Sequence, residues 1–291
     1  MINVASPKSQ WWITLVLALS LGTGCTSENP ASKELGTSSD SRSSDTVAET
    51  RILSAYHGLD ALPQRARRLC GAMLGGEDGM PVTFSVQLNI ETVSATAFSV
   101  ETSSGDRVTP LCATLRPAIE PLEQRTVLLI GSFGSAYSPP RGVEVVGQLE
   151  DIEGNSLFGL RTEEVTALAA GPSLVFSERF VPTARGLEGE CPDETAQVVL
   201  LTWEGGVTGP QGADLAEAQR TGVSILLENG DRVLPISLGD DDPDNHVIAC
   251  LAETSPAVSV NVGSGLFHDP GDDANPETNV EVVTGLRENN Y

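Results

Sequence analysis

The chain has 291 residues, 40 of them acidic and 17 basic, for a formal charge of −23. That balance excludes recognition of nucleic acid, or of an anionic membrane face, by charge; its plain consequence is solubility through self-repulsion. The length fits two domains of ordinary size once a leader and a linker are set aside.

Residues 1–24 have the form of an export signal. Lys8 supplies the positive start, and Trp11 to Leu21 is a mostly apolar run, too short to span a bilayer as a stable helix. Residues 25–50 are rich in Ser, Thr, Asp and Glu and contain no aromatic residue. Such a composition cannot bury enough apolar surface to order itself, so this stretch reads as a disordered tether. Its r.m.s. reach would be roughly 25–30 Å.

Residues 51–186 are expected to form the first domain. Ile52 to Tyr56 reads as an opening strand, and Asp60 to Leu69 as one short helix with Pro63 in its first turn. Val82, Phe84, Val86 and Leu88 alternate, the mark of a half-buried strand. Val127 to Ile130 is a continuous apolar run of the kind a central strand shows, and Val143, Val145 and Val146 form the next strand.

An internal repeat organises the rest. Residues 98–110 align without a gap with residues 223–235, and Gly105-Asp106-Arg107-Val108 is identical to Gly230-Asp231-Arg232-Val233. Each copy is an apolar strand, a Gly-Asp turn and a second strand, which is hairpin chemistry because Gly accepts positive φ. The second domain is expected over residues 187–291. Val198 to Trp203 would be its first core strand. Residues 257–264 would correspond to residues 127–132, and Val280-Glu281-Val282-Val283 repeats Val143-Glu144-Val145-Val146 letter for letter. Tyr56, Phe84 and Trp203 read as core aromatics, and Glu204-Gly205-Gly206 as a plain turn.

There are five cysteines, Cys25 behind the apolar leader and four in the domains. Four cysteines allow three connectivities. On the repeat, Cys70 and Cys191 hold matching places, as do Cys112 and Cys250, which favours Cys70–Cys112 and Cys191–Cys250. Two such bridges call for an oxidising compartment.

Two resemblances add to this. Gly22-Thr23-Gly24-Cys25 resembles a bacterial lipobox, which implies cleavage before Cys25 and lipidation of its thiol. Thr26 stands where an Asp would imply retention in the inner membrane, so the resemblance implies an outer-membrane or cell-surface address in a Gram-negative-type bacterium. A diacylated Cys is a stable two-chain anchor. Thr83-Phe84-Ser85, Phe98-Ser99-Val100 leading into Gly105, Ala113 to Ala118, Arg125-Thr126-Val127 and Leu149-Glu150-Asp151-Ile152-Glu153-Gly154-Asn155 are similar to a bacterial Ig-like domain whose last strand follows a D-x-x-G-N turn. The likeness covers roughly residues 80–157 and implies an all-β chain of two tandem Ig-like β-sandwich domains. The D-x-x-G-N turn is not found in the second copy.

Two acidic loops in the second domain could carry chemistry. One spans residues 239–246 with Asp240, Asp242 and Asp244; the other spans residues 268–277 with Asp269, Asp272 and Asn275. Hard Ca²⁺ takes six to eight oxygens, which Asp, Asn and carbonyls in such kinked loops can supply, although neither loop has EF-hand spacing. Solvated turns in an acidic protein are the plainer reading. His246 and His268 lie beside carboxylates but lack H-x-x-x-H spacing, and Ser132 and Ser264 lie outside any G-x-S-x-G elbow. The expectation is therefore a non-enzymatic, lipid-anchored envelope protein with spacer or binding modules for a protein or glycan. The alternative is a metal-dependent or glycan-processing enzyme with its site on the acidic loops.

Overall fold

A computed structural model describes residues 49–62, 70, 76–167, 169–239 and 244–285. The leader, Cys25 and the tether up to residue 48 lie outside the described residues, as does most of the helix expected over Asp60–Leu69. Asp60, Ala61 and Leu62 are not helical.

The described chain is all-β and sandwich-like, with the same four-plus-four strand arrangement built twice. In the first half, β1 (Ile52–Ala55), β2 (Asp78–Phe84), β6 (Thr126–Gly131) and β5 (Cys112–Thr114) form one sheet in the order β1-β2-β6-β5. The facing sheet runs β4-β3-β7-β8, from β3 (Phe98–Thr102), β4 (Arg107–Val108), β7 (Pro140–Val145) and β8 (Arg161–Thr162). In the second half, β9 (Leu174–Phe180), β10 (Gln197–Trp203), β14 (His246–Leu251) and β13 (Ser237–Gly239) reproduce the first sheet. β11 (Val223–Leu227), β12 (Arg232–Val233), β15 (Ala257–Val262) and β16 (Thr278–Thr284) reproduce the second. One short helix, α1 (Glu217–Gly222), leads into β11. Here β16 also pairs in parallel with β9, joining the two sheets into one of eight strands. The first half has a shorter version of that seam, a parallel bridge between Tyr56 and Thr166.

Alternation explains the two cores. Met80, Val82, Phe84, Phe98, Val100, Val127, Leu129, Val143 and Val145 point inward together in the first half. Val199, Leu201, Trp203, Val223, Ile225, Val247, Val260 and Val262 do so in the second. Tyr56, Phe84 and Trp203 are all fully buried. β10 is buried on both faces, which its unbroken Val-Val-Leu-Leu run requires. Its outward Val198 and Leu200 pack with Phe180, Leu187, Ile248 and Leu122, the last contributed by the first half.

The repeated hairpin stands as expected. Gly105 and Gly230 have φ of +87° and +91°, and Thr102 and Leu227 each accept from the glycine N–H and donate to the following Asp carbonyl. Other correspondences shift. The partner of β3 is β7, with Phe98 opposite Val145, and the partner of β11 is β15, with Val223 opposite Val262. Residues 257–262 therefore match β7 rather than residues 127–132, and Val280 to Val283 match the β8 edge. The four-letter identity misled because alternating Val suits any half-buried strand. The division expected at residues 186/187 is also displaced: β9 hydrogen-bonds within the second half.

Both disulfides are present, Cys70–Cys112 and Cys191–Cys250, with Cα–Cα separations of 6.2 and 5.8 Å. Their positions are not repeat-equivalent. Cys112 lies on β5 opposite Ile130 of β6, whereas Cys250 lies on β14 opposite Ser237 of β13. The second bridge thus uses the neighbouring strand of the same pair.

Candidate functional site

Chemistry gathers where the halves meet. Arg125, from the loop entering β6, is 2% exposed. Its Nη2 donates to Glu178 Oε2 of β9 at 2.6 Å, and its guanidinium lies 4.4 Å from the centre of the Phe176 ring. Burial pulls the Arg125 pKa down and the Glu178 carboxylate opposes that pull. Beside this pair, Glu123, Asp244 and His246 bring one ligand-type atom each within 4.8 Å of one another, and all three are buried.

His246 begins β14, at the position that Thr126 holds in β6; the strand partners Thr202 and Thr83 correspond in the same way. In the first half that position is a hydroxyl pair, Thr83 to Thr126 at 3.1 Å. In the second it is an imidazole, 1% exposed, with neither ring nitrogen hydrogen-bonded among the described residues. Its Nδ1 lies 3.8 Å from Asp244 Oδ1, which accepts the His246 backbone N–H at 2.7 Å. Burial, with nearby Arg125 adding to it, pushes the His246 pKa down to about 3, so the ring is neutral at physiological pH. Asn245 ties the same corner across the halves, donating to Thr126 Oγ1 and to the Trp203 carbonyl, both at 2.9 Å.

A cleft of about 180 Å³ reaches this corner. Leu59, Leu62, Pro81, Leu115 and Leu128 of the first half give it an apolar wall, and Asp244, Asn245 and Pro270 border it from the second. Tyr56 also lines it. The Tyr56 hydroxyl donates to Asp269 Oδ2 at 2.7 Å and lies equally close to the Ala170 carbonyl. Burial first, and then the Asp269 hydrogen bond, raise its pKa. Gly205 faces the same ring so closely that a Cβ there would lie 2.7 Å from it. Glu204, expected in a plain turn, is buried. It accepts from Thr166 Oγ1 at 2.7 Å and from the Ser173 N–H at 3.1 Å, and burial raises its pKa.

The residues expected to hold Ca²⁺ are dispersed among other tasks. Asp240 and Asp242 lie outside the described residues, and Asp244 belongs to the His246 cluster. Asp269 Oδ1 accepts from the backbone N–H groups of Gly271 and Asp273 while Oδ2 accepts from Tyr56. Asn275 Oδ1 accepts from the N–H groups of Leu266 and Phe267. Asp272 Oδ1 accepts from Gln211 N–H and lies 2.9 Å from His268 Nδ1. These oxygens hold a turn together, and that turn is the second half's counterpart of the D-x-x-G-N turn, with a different sequence. Asp151 Oδ1 accepts from Glu153 and Asn155 N–H groups just as Asp269 does from Gly271 and Asp273. Asp272, at φ +67°, occupies the left-handed place of Gly154 at φ +84°. In the first half Asp151 Oδ2 accepts from the Asn155 amide; Asp273 cannot donate in that way, and the Asp269 oxygen accepts from Tyr56 instead.

Glu123 and Glu178 belong to no motif legible in the sequence, and Arg125 stands in one stretch of the Ig-like resemblance, which attaches no role to it. The available signal was a charge beside or within an apolar strand, Arg125 before β6 and Glu178 within β9, where burial is costly unless paired.

No family model matches the chain, and no curated protein matches it. Among solved structures, the N-terminal part of the bacterial S-layer protein SbsC aligns with a TM-score of 0.28 and 11% identity, over 80% of this chain and 44% of that one. A likeness at that level carries no functional argument.

Proposed function

We propose that this chain is an exported, lipid-anchored envelope protein that acts without turnover, its paired Ig-like halves serving as a stiff spacer or binding unit. The observation that carries the reading is the joint. Two halves of one topology are fused by buried polar contacts, Arg125 to Glu178, Asn245 to Thr126 and Tyr56 to Asp269, so they form one body instead of two beads. The lipobox-like Cys25 and the Ser/Thr-rich tether supply the anchor and the stand-off. The two disulfides fit an oxidising compartment.

Cys25→Ser should release the protein from the membrane fraction and abolish incorporation of a fatty-acid analogue. Unchanged partitioning, with no labelling of the native chain, would refute the anchor. Turnover of a glycan by the purified protein would refute the non-enzymatic reading.

A further inference from the structure

The geometry points to a divalent transition-metal site of the zinc class at Glu123, Asp244 and His246, clamping the two halves together. It goes beyond the anchor and spacer reading and does not depend on it. One donor, Glu123, comes from the first half and two, Asp244 and His246, from the second, with ligand atoms within 4.8 Å of one another. The observation that singles out the cluster is the imidazole: His246 is 1% exposed and neither ring nitrogen has a hydrogen-bond partner among the described residues. A buried polar group so placed is costly, and coordination of one nitrogen would offset that cost.

The donor set decides the class of ion. A neutral imidazole with two carboxylates is a nitrogen–oxygen set suited to Zn²⁺ and its neighbours, with water completing the shell. With both carboxylates ionised their charge matches a divalent cation. Ca²⁺ takes all-oxygen shells of six to eight ligands and does not fit an imidazole-centred corner. Of the three donors, Asp244 is the one that borders the cleft between the halves.

The test uses the full-length chain, stripped with EDTA and then titrated with Co²⁺ and with Zn²⁺. One equivalent of Co²⁺ should give visible d–d absorption that Zn²⁺ abolishes, and Zn²⁺ should raise the melting temperature in a concentration-dependent way. Glu123→Gln and His246→Gln should each weaken binding at least about 100-fold, since removing a ligand costs more than disturbing its outer shell. Glu123→Gln, a second ligand variant on the other half of the fold, guards against a His246 variant that fails to fold. His268→Gln should leave binding intact. Absence of both the Co²⁺ spectrum and the Zn²⁺-dependent shift in the wild type would overturn the site. So would undiminished binding in Glu123→Gln, loss of binding only in His268→Gln, or an equal shift with millimolar Ca²⁺.

Discussion

At the scale of single residues, the costly groups are the ones that join the halves. Arg125 and Glu178 are both taken out of water, and a buried pair of this kind contributes little net stability yet is severe to break, because one charge then stays behind. Arg125→Ala should destabilise by about 3–5 kcal/mol. The double replacement Arg125→Met with Glu178→Leu should recover most of that loss in urea unfolding, since it removes both desolvation penalties. Glu204 makes a pH-dependent contribution. Its folded pKa lies above the ordinary carboxylate value, so the folded state holds that proton more tightly than the unfolded chain does. Its contribution favours folding below the ordinary value and is lost as pH rises through the raised one. Glu204→Gln should flatten that part of the melting-temperature profile. The gap between variant and wild type should be widest at neutral pH and narrow toward pH 4.

At the scale of elements, the repeated Gly-Asp hairpin is the most locally determined part of the molecule. Gly105 and Gly230 have open space where a Cβ would stand, so only backbone conformation opposes a side chain there. Gly105→Ala and Gly230→Ala should each cost about 1–2 kcal/mol, the penalty of left-handed backbone for an L-residue. The two values should agree, because the turns make the same backbone hydrogen bonds; chemical denaturation of the two variants checks this. The turn of Asp151 and the turn of Asp269 are the other repeated element. They share backbone geometry and not sequence, since a carboxylate accepting from residues two and four ahead tolerates varied residues between.

At the scale of the whole molecule, the buried joint should make residues 49–285 unfold as one cooperative unit, seen as a single calorimetric transition. Arg125→Ala should move the entire transition instead of splitting off the first half. The disulfides act within the halves. Their loops, with sequence separations of 42 and 59, each correspond to about 4 kcal/mol of unfolded-chain entropy. Cys191→Ser with Cys250→Ser should therefore lower the melting temperature sharply, and non-reducing peptide mapping should return no peptide joining the two halves through a bridge.

What the sequence determined by itself was local: the all-β class, the paired hairpins with their positive-φ glycines, the alternating core strands and the aromatic core of Tyr56, Phe84 and Trp203. Those follow from side-chain alternation and turn chemistry, which act over a few residues. Tertiary structure decided the rest. It assigned β9 to the second half, because a strand's partner is chosen by which sheet edge is open. It matched residues 257–262 to β7 against a literal sequence identity, and it placed Cys112 and Cys250 on neighbouring, non-equivalent strands. It committed the oxygens of Asp269, Asp272 and Asn275 to a turn and to contacts across the molecule. It drew Glu123, Asp244 and His246 together although more than a hundred residues separate the first from the other two. The reason is that a polar cluster assembled from two distant parts of the chain leaves no periodicity in either one.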